Sequence, residues 1–193
     1  MWPWEHLAVG YLAYSALSRL AWGEPPSTRG ALVVGTAAVA PDLVDKPLAW
    51  RFGVLPSGKS LGHSLFTFGA LTGAAAVLGA RSGSSQRGTV AVAVGHGSHL
   101  VGDVLYPLLV SGDLRASFLL WPVVPASGGA DSVLPHLRDL LGDFTAFLAT
   151  PEGAAYLVAE VALLAAAFAV WVADGTPVLS ALRRRLHPQP TDA

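Results

Sequence analysis

Between Thr89 and Val110 the chain runs for 22 residues with a single formal charge, Asp103, and two histidines. The centre of this run reads Gly95-His96-Gly97-Ser98-His99-Leu100-Val101-Gly102-Asp103. At about 100° per residue, His96, His99 and Asp103 fall within a helical sector about 60° wide. Two imidazoles and a carboxylate on one face form a metal-ligand set rather than a packing pattern. An Asp at mid-membrane costs about 2.5 to 3.5 kcal/mol on insertion scales. A bound cation is the simplest compensation.

The chain is 52% hydrophobic and 13% charged over 193 residues, against about a quarter charged in soluble domains. The deficit is concentrated in long runs, which predicts an all-α, multi-span transmembrane bundle. The net charge of −1 gives no nucleic-acid footprint. With no cysteine in the chain, disulfides, zinc thiolates and cysteine nucleophiles are excluded together. Any metal must take His nitrogen and carboxylate oxygen. The opening Met1-Trp2-Pro3-Trp4-Glu5 lacks a basic leader region, so no removable signal peptide is expected.

Five spans are predicted: His6 to Trp22, Gly30 to Val44 interrupted by Pro41, His63 to Ala80, Thr89 to Val110, and Ala154 to Ala173. Ser117 to Pro125 is apolar but too short to span, and reads as re-entrant or interfacial. Asp131 to Thr150 spaces its leucines and phenylalanines at three and four residues opposite Arg138, Asp139 and Asp143, an amphipathic helix on the membrane or over the bundle. Residues 1–180 form one domain, and the polar, basic tail 181–193 is expected to be disordered. His136 and His187 read as solvated.

Short loops make consecutive spans antiparallel. His6 opens the first span, Asp42 and Asp45 close the second, His63 opens the third, and His99 and Asp103 lie late in the fourth. Alternation brings all of them toward one face of the membrane. Glu160, about two turns into the fifth span, enters from that face.

The combination of an early histidine, Pro41-Asp42-x-x-Asp45, Gly62-His63-Ser64 and Ser98-His99-x-x-x-Asp103 resembles the YdjM-like family, described as membrane-bound, metal-dependent hydrolases. The pattern covers Glu5 to Pro107, and Leu120-Trp121-Pro122 is also reminiscent of it. The family often shows His-Arg-x-x-Thr-His-Ser, where this chain has Gly58-Lys59-Ser60-Leu61-Gly62-His63-Ser64, so one histidine of the pattern is absent. The order His, Asp, His, His-x-x-x-Asp is also similar, distantly, to that of zinc-dependent phospholipase C.

What the residues and the resemblance together imply is a membrane-embedded metal hydrolase. His6, Asp42, His63, His99 and Asp103 are the expected ligands, with Asp45 and His96 as alternates or supports. Zn²⁺ suits this donor set best, with Mn²⁺ or Fe²⁺ as substitutes. Asp45 or Glu160 is the expected base, and Lys46, Lys59 and Arg51 the expected anchors for a phosphoester of a lipid or lipid-linked substrate. The alternative is a non-catalytic membrane scaffold or transport component with a metal-bound or hydrogen-bonded polar core. A multi-pass plasma-membrane location is expected. Arg19, Arg29, Arg81, Arg87 and Arg183 to Arg185 collect on the far face, which favours a site facing outside.

Overall fold

The computed structural model describes residues 1–83, 86–126 and 133–186, with the side chains of 133–137 outside the description. Among the described residues there is no strand, and seven helices follow one another: α1 (Pro3–Trp22), α2 (Thr28–Lys46), α3 (Leu65–Arg81), α4 (Arg87–Ser111), α5 (Val133–Leu148), α6 (Pro151–Ala173) and α7 (Pro177–Leu186). The described residues form the all-α fold that the pattern predicts. Helices α1 to α4 and α6 occupy the five segments predicted to span. Only α6 is long and apolar enough among the described helices to cross a membrane by length and composition, while α3 is apolar but has 17 residues. The polar groups carried by α1, α2 and α4 are what dilute their apolar character.

Local chemistry sets the helix ends. Pro3 takes the first position of α1, where its missing N–H costs nothing. Gly23 ends that helix with φ 71°, a left-handed conformation open to glycine. Ser27 caps α2, its Oγ accepting from Gly30 N at 3.1 Å. Pro41 does not interrupt α2 as expected. It forfeits only the bond back to Ala37, and the helix continues to Lys46 and then a π-helical turn, Pro47–Arg51.

Helix α2 packs most extensively on α4, and α1 lies against α2, α4 and α6. The α2–α4 approach depends on Gly95, where an added Cβ would lie 2.5 Å from the Val34 carbonyl and 2.9 Å from Ala37 Cβ. Tyr156 of α6 bonds Glu5 near the start of α1 at 2.7 Å, and Tyr11, further along α1, bonds Asp174 beyond the end of α6 at 2.7 Å, so α1 and α6 run parallel.

The interior is unusually polar. Among the described residues, fifteen polar or charged side chains are buried against eleven hydrophobic ones. The large apolar residues face outward, including Leu20 at 86% exposure, Leu109 at 81% and Val158 at 71%. That distribution inverts the usual rule for soluble domains.

The segment predicted as re-entrant forms a short 3₁₀ turn, Ser117–Leu120, that folds back over the loop before α3. Ser64 Oγ donates to Trp121 O at 2.6 Å, and the Phe118 ring meets His63 edge-on at 6.0 Å. Helix α5 lies over α6, with Phe147 against Tyr156 at 5.7 Å. Arg183 to Arg185 are not in a disordered tail but in α7, which packs on α2, where Thr28 Oγ1 donates to Pro177 O at 2.6 Å. Residues 187–193, His187 among them, and the His136 side chain lie outside the description.

Candidate metal centre

Four chain segments deliver their polar residues to one point. His6 comes from the first turn of α1, Asp42 from the last turns of α2, His63 from the loop before α3, and His99 and Asp103 from α4. All five are buried, His63 and His99 completely. His63 Nε2 lies 3.0 Å from His99 Nε2, 3.4 Å from Asp42 Oδ1 and 3.3 Å from Asp103 Oδ2. Ligand atoms bonded to a tetrahedral Zn²⁺ at about 2.0–2.1 Å lie about 3.3–3.4 Å apart. Two overlapping groups have the geometry to hold an ion, His63 with His99 and Asp103, and His6 with Asp42 and His99, the donor atoms of each lying within 4.8 Å of one another.

The outward nitrogens of the two central histidines are already committed. His99 Nδ1 lies 2.7 Å from the Ala38 carbonyl, which only accepts, so Nδ1 carries the proton. That carbonyl sits just before Pro41, where the α2 ladder is loosened. His63 Nδ1 donates in the same way to Asp45 Oδ2 at 2.8 Å. With His63 neutral, each Nε2 keeps a lone pair and the two face each other at 3.0 Å; with His63 protonated among Asp42, Asp45 and Asp103, its Nε2 donates to His99 Nε2. A metal ion would hold the neutral pair together, whereas the protonated pair is held by its own hydrogen bond. His6 adds a further donor. Neither of its ring nitrogens makes a hydrogen bond among the described residues, Nε2 stands 3.4 Å from Asp103 Oδ1, and the ring stacks on His99 at 3.8 Å.

Asp45 plays a different part from Asp42, three residues earlier. Its Oδ1 accepts from Gly62 N at 2.8 Å, and its Oδ2 from Ser60 N at 2.7 Å, His63 N at 3.3 Å and His63 Nδ1. Saturated in this way, it is not placed to take a proton from water as a base. It pins the loop and orients His63, the support that metal-bound histidines commonly have. Gly62 permits this closeness, since a Cβ there would stand 2.8 Å from Pro41 Cα.

Two lysines reach the carboxylates from the surface side. Lys46 Nζ lies 2.6 Å from Asp42 Oδ2, and Lys59 Nζ lies 2.9 Å from Asp103 Oδ2. Arg51 stands apart from the cluster, its guanidinium 5.8 Å from the Phe52 ring centre. It shares with Asp42, Lys46 and Trp50 the lining of a cavity of about 430 Å³.

Two expected participants lie elsewhere. His96 turns toward α3, with Nε2 2.8 Å from Gly62 O and its ring edge-on to Phe68 at 5.5 Å, so it braces the loop rather than joining the ligands. Glu160 accepts from Trp4 Nε1 at 2.6 Å and joins neither ion-holding group, so it does not stand where a base is needed. The histidine missing from the family pattern leaves Gly58, where an added Cβ would lie 3.1 Å from the Trp50 ring.

Sequence reasoning missed the backbone partners at Ser60, Gly62 and Ala38, because main-chain groups carry no signature. It also passed over Glu5, 3% exposed, whose carboxylate accepts from Trp2 N and from Tyr156. An acid beside His6 at the edge of an apolar run was the available signal.

No curated protein and no solved structure matches the chain, so the likeness to zinc-dependent phospholipase C rests on residue order alone. A family model described as YdjM inner membrane protein matches residues 1–178, nearly the whole chain and every residue of the cluster. The chain belongs to the YdjM inner membrane protein family.

Proposed function

We propose that this protein is a membrane-embedded, metal-dependent hydrolase acting on a phosphoester of a lipid or lipid-linked substrate. The observation that carries the reading is the convergence of His63 Nε2, His99 Nε2, Asp42 Oδ1 and Asp103 Oδ2 with separations of 3.0–4.0 Å about the two histidine nitrogens. Nitrogen and carboxylate donors without sulfur suit Zn²⁺, with Mn²⁺ or Fe²⁺ as substitutes. Such an ion, when bound, polarises a phosphoryl oxygen and brings the ionisation of water to about pH 7.

The remaining work belongs to the chain. Asp45 and the Ala38 carbonyl hold His63 and His99 in the tautomer that presents Nε2. His6, with no hydrogen bond of its own, is the group left to add a further ligand or to accept a proton. Lys46 and Lys59 border the two ligand carboxylates and can hold phosphate oxygens, with Arg51 behind Lys46. The membrane buries the apolar flanks. Helices of 17 to 25 residues reach about 25 to 38 Å at 1.5 Å per residue, against a hydrocarbon core of about 30 Å. Their outward apolar side chains and polar interior support five spans, α1 to α4 and α6, in the plasma membrane, and the arginine bias favours a site facing outside.

A second reading has its own support. Lys46 and Lys59 already neutralise Asp42 and Asp103, so the cluster can be a polar helix-packing core without turnover. Purified protein incubated with Zn²⁺ and a chromogenic phosphodiester separates the two. Metal-dependent release that falls at least 100-fold in His63→Ala supports the hydrolase, whereas no metal-dependent release from this diester or from a short-chain phospholipid supports the scaffold.

A further inference from the structure

A groove of about 650 Å³ runs down the outside of the bundle between α4 and α6. Its walls are apolar, chiefly Val101, Leu105 and Leu109 of α4 and Ala155, Tyr156 and Ala159 of α6. Along α4 it extends from Ser98 to Val110, about 18 Å at 1.5 Å per residue. Glu152 also lines it, in the first turn of α6. At Met1 and Tyr106 the groove joins a second cavity of about 550 Å³ with a different character, lined by Ser57, Lys59, Arg115 and Ser117. Lys59 connects that polar cleft to the cluster, through its contact with Asp103 Oδ2 at 2.9 Å.

We infer that the groove and cleft together form the seat of a single-chain anionic amphiphile, with its hydrocarbon chain between α4 and α6 and its phosphate at Lys59 and Arg115. This deepens the proposed function, on whose phosphoester reading it rests. Three features point the same way. The cleft carries two cations, Lys59 paired with Asp103 and Arg115 paired with Asp113 at 2.8 Å, which an anionic headgroup can draw from their carboxylates, and the apolar groove complements a hydrocarbon chain. The order along α4 is that of a lipid in a leaflet, since the cleft lies at the end of the helix nearest the loops and the groove descends from it toward Ser98. The headgroup end also opens beside a ligand carboxylate, so the phosphate lies next to the cluster rather than somewhere along the helix.

A competing groove of about 590 Å³ lies on the other side, between α1, α2 and α6. It meets the cavity lined by Asp42, Lys46 and Arg51 through Val39 alone, and the remaining walls there, Pro3, Leu43, Pro47 and Trp50, are apolar and offer no hydroxyl to a headgroup. The polar wall at Ser57, Lys59 and Ser117 decides between them.

The test reads binding, so its failure is distinct from absence of turnover. Detergent-purified full-length protein is photolysed with a long-chain alkyl phosphate bearing a diazirine near the chain end, and the adducts are mapped by mass spectrometry. The expected adducts fall in the half of the groove away from the cleft, at Ser98 or Val101 of α4 or Ala159 of α6. Unlabelled alkyl phosphate should compete, while inorganic phosphate and the matching neutral alcohol should compete at least 10-fold less well, which separates a lipid headgroup from free phosphate. Lys59→Met should reduce labelling about 5- to 10-fold, and Ala159→Trp should abolish it while the protein keeps its helicity and its metal content. Adducts on Leu32 or Phe168 of the opposite groove, adducts spread evenly over outward faces, or full competition by the neutral alcohol would each overturn the inference. If labelling follows the expected map but no phosphoester is cleaved, the seat stands and the hydrolase reading falls.

Discussion

Two buried carboxylate clusters lie at opposite ends of the same bundle, and they are built on opposite principles. At the far end, Asp174 Oδ2 accepts from Tyr11 and Ser15, each at 2.7 Å, and Oδ1 accepts from Arg19. Every contact there joins a donor to an acceptor, and the cluster ties α1 to the end of α6. At the site end, Asp42, His63, His99 and Asp103 gather four acceptor-bearing groups, with the two imidazole Nε2 atoms 3.0 Å apart and only Lys46 and Lys59 donating from the surface side. Burial is similar at both ends, so burial alone does not mark a site. What marks it is a cluster whose own donors point away, to Ala38 and Asp45, and whose acceptors point inward. A metal ion would complete such an arrangement, and so would a proton on His63, with Lys46 and Lys59 already set against the two carboxylates.

The comparison can be broken in several places. The largest effect is expected for His99→Ala and Asp103→Ala, each of which should remove the bound ion altogether, read as metal per chain after gel filtration. Asp174→Leu should do the reverse: it strands two hydroxyls and should lower stability by about 2–3 kcal/mol in a denaturation series, with metal content unchanged. Asp45→Asn keeps the shape but weakens the orientation of His63, so metal affinity should fall about 10- to 100-fold in a chelator competition. The smallest effect belongs to His96→Gln, costing about 1 kcal/mol of stability through the lost bond to Gly62 and leaving the ion in place. Loss of metal in that variant would return His96 to the ligand set.

How far the site was legible follows from which atoms define it. His99 and Asp103 stand four apart on one helix, so periodicity alone put them together. His96 shares their sector, yet it lies about 4.5 Å higher along the axis at 1.5 Å per residue and meets α3 instead. Asp42 and Asp45 read alike in sequence, two carboxylates three apart on one helix. They separate in function because Asp45 faces the backbone of Ser60 to His63, which no side-chain pattern records. Glu160 was placed at the right face by alternation, but Trp4 takes its carboxylate. The spans carry the same lesson. Chain order predicted five spans; α1 to α4 and α6 occupy those segments, but among the described helices only α6 is long and apolar enough to cross a membrane, because polar residues dilute α1, α2 and α4 and α3 has 17 residues.

The most direct test of a cation-completed cluster is elemental analysis of the wild-type protein purified in detergent and dialysed against trace Zn²⁺, Mn²⁺ and Fe²⁺. The account predicts at least one divalent ion per chain, retained through gel filtration. A well-folded protein that carries no ion and takes none up would contradict it, and would make the site end a second packing cluster like the one around Asp174.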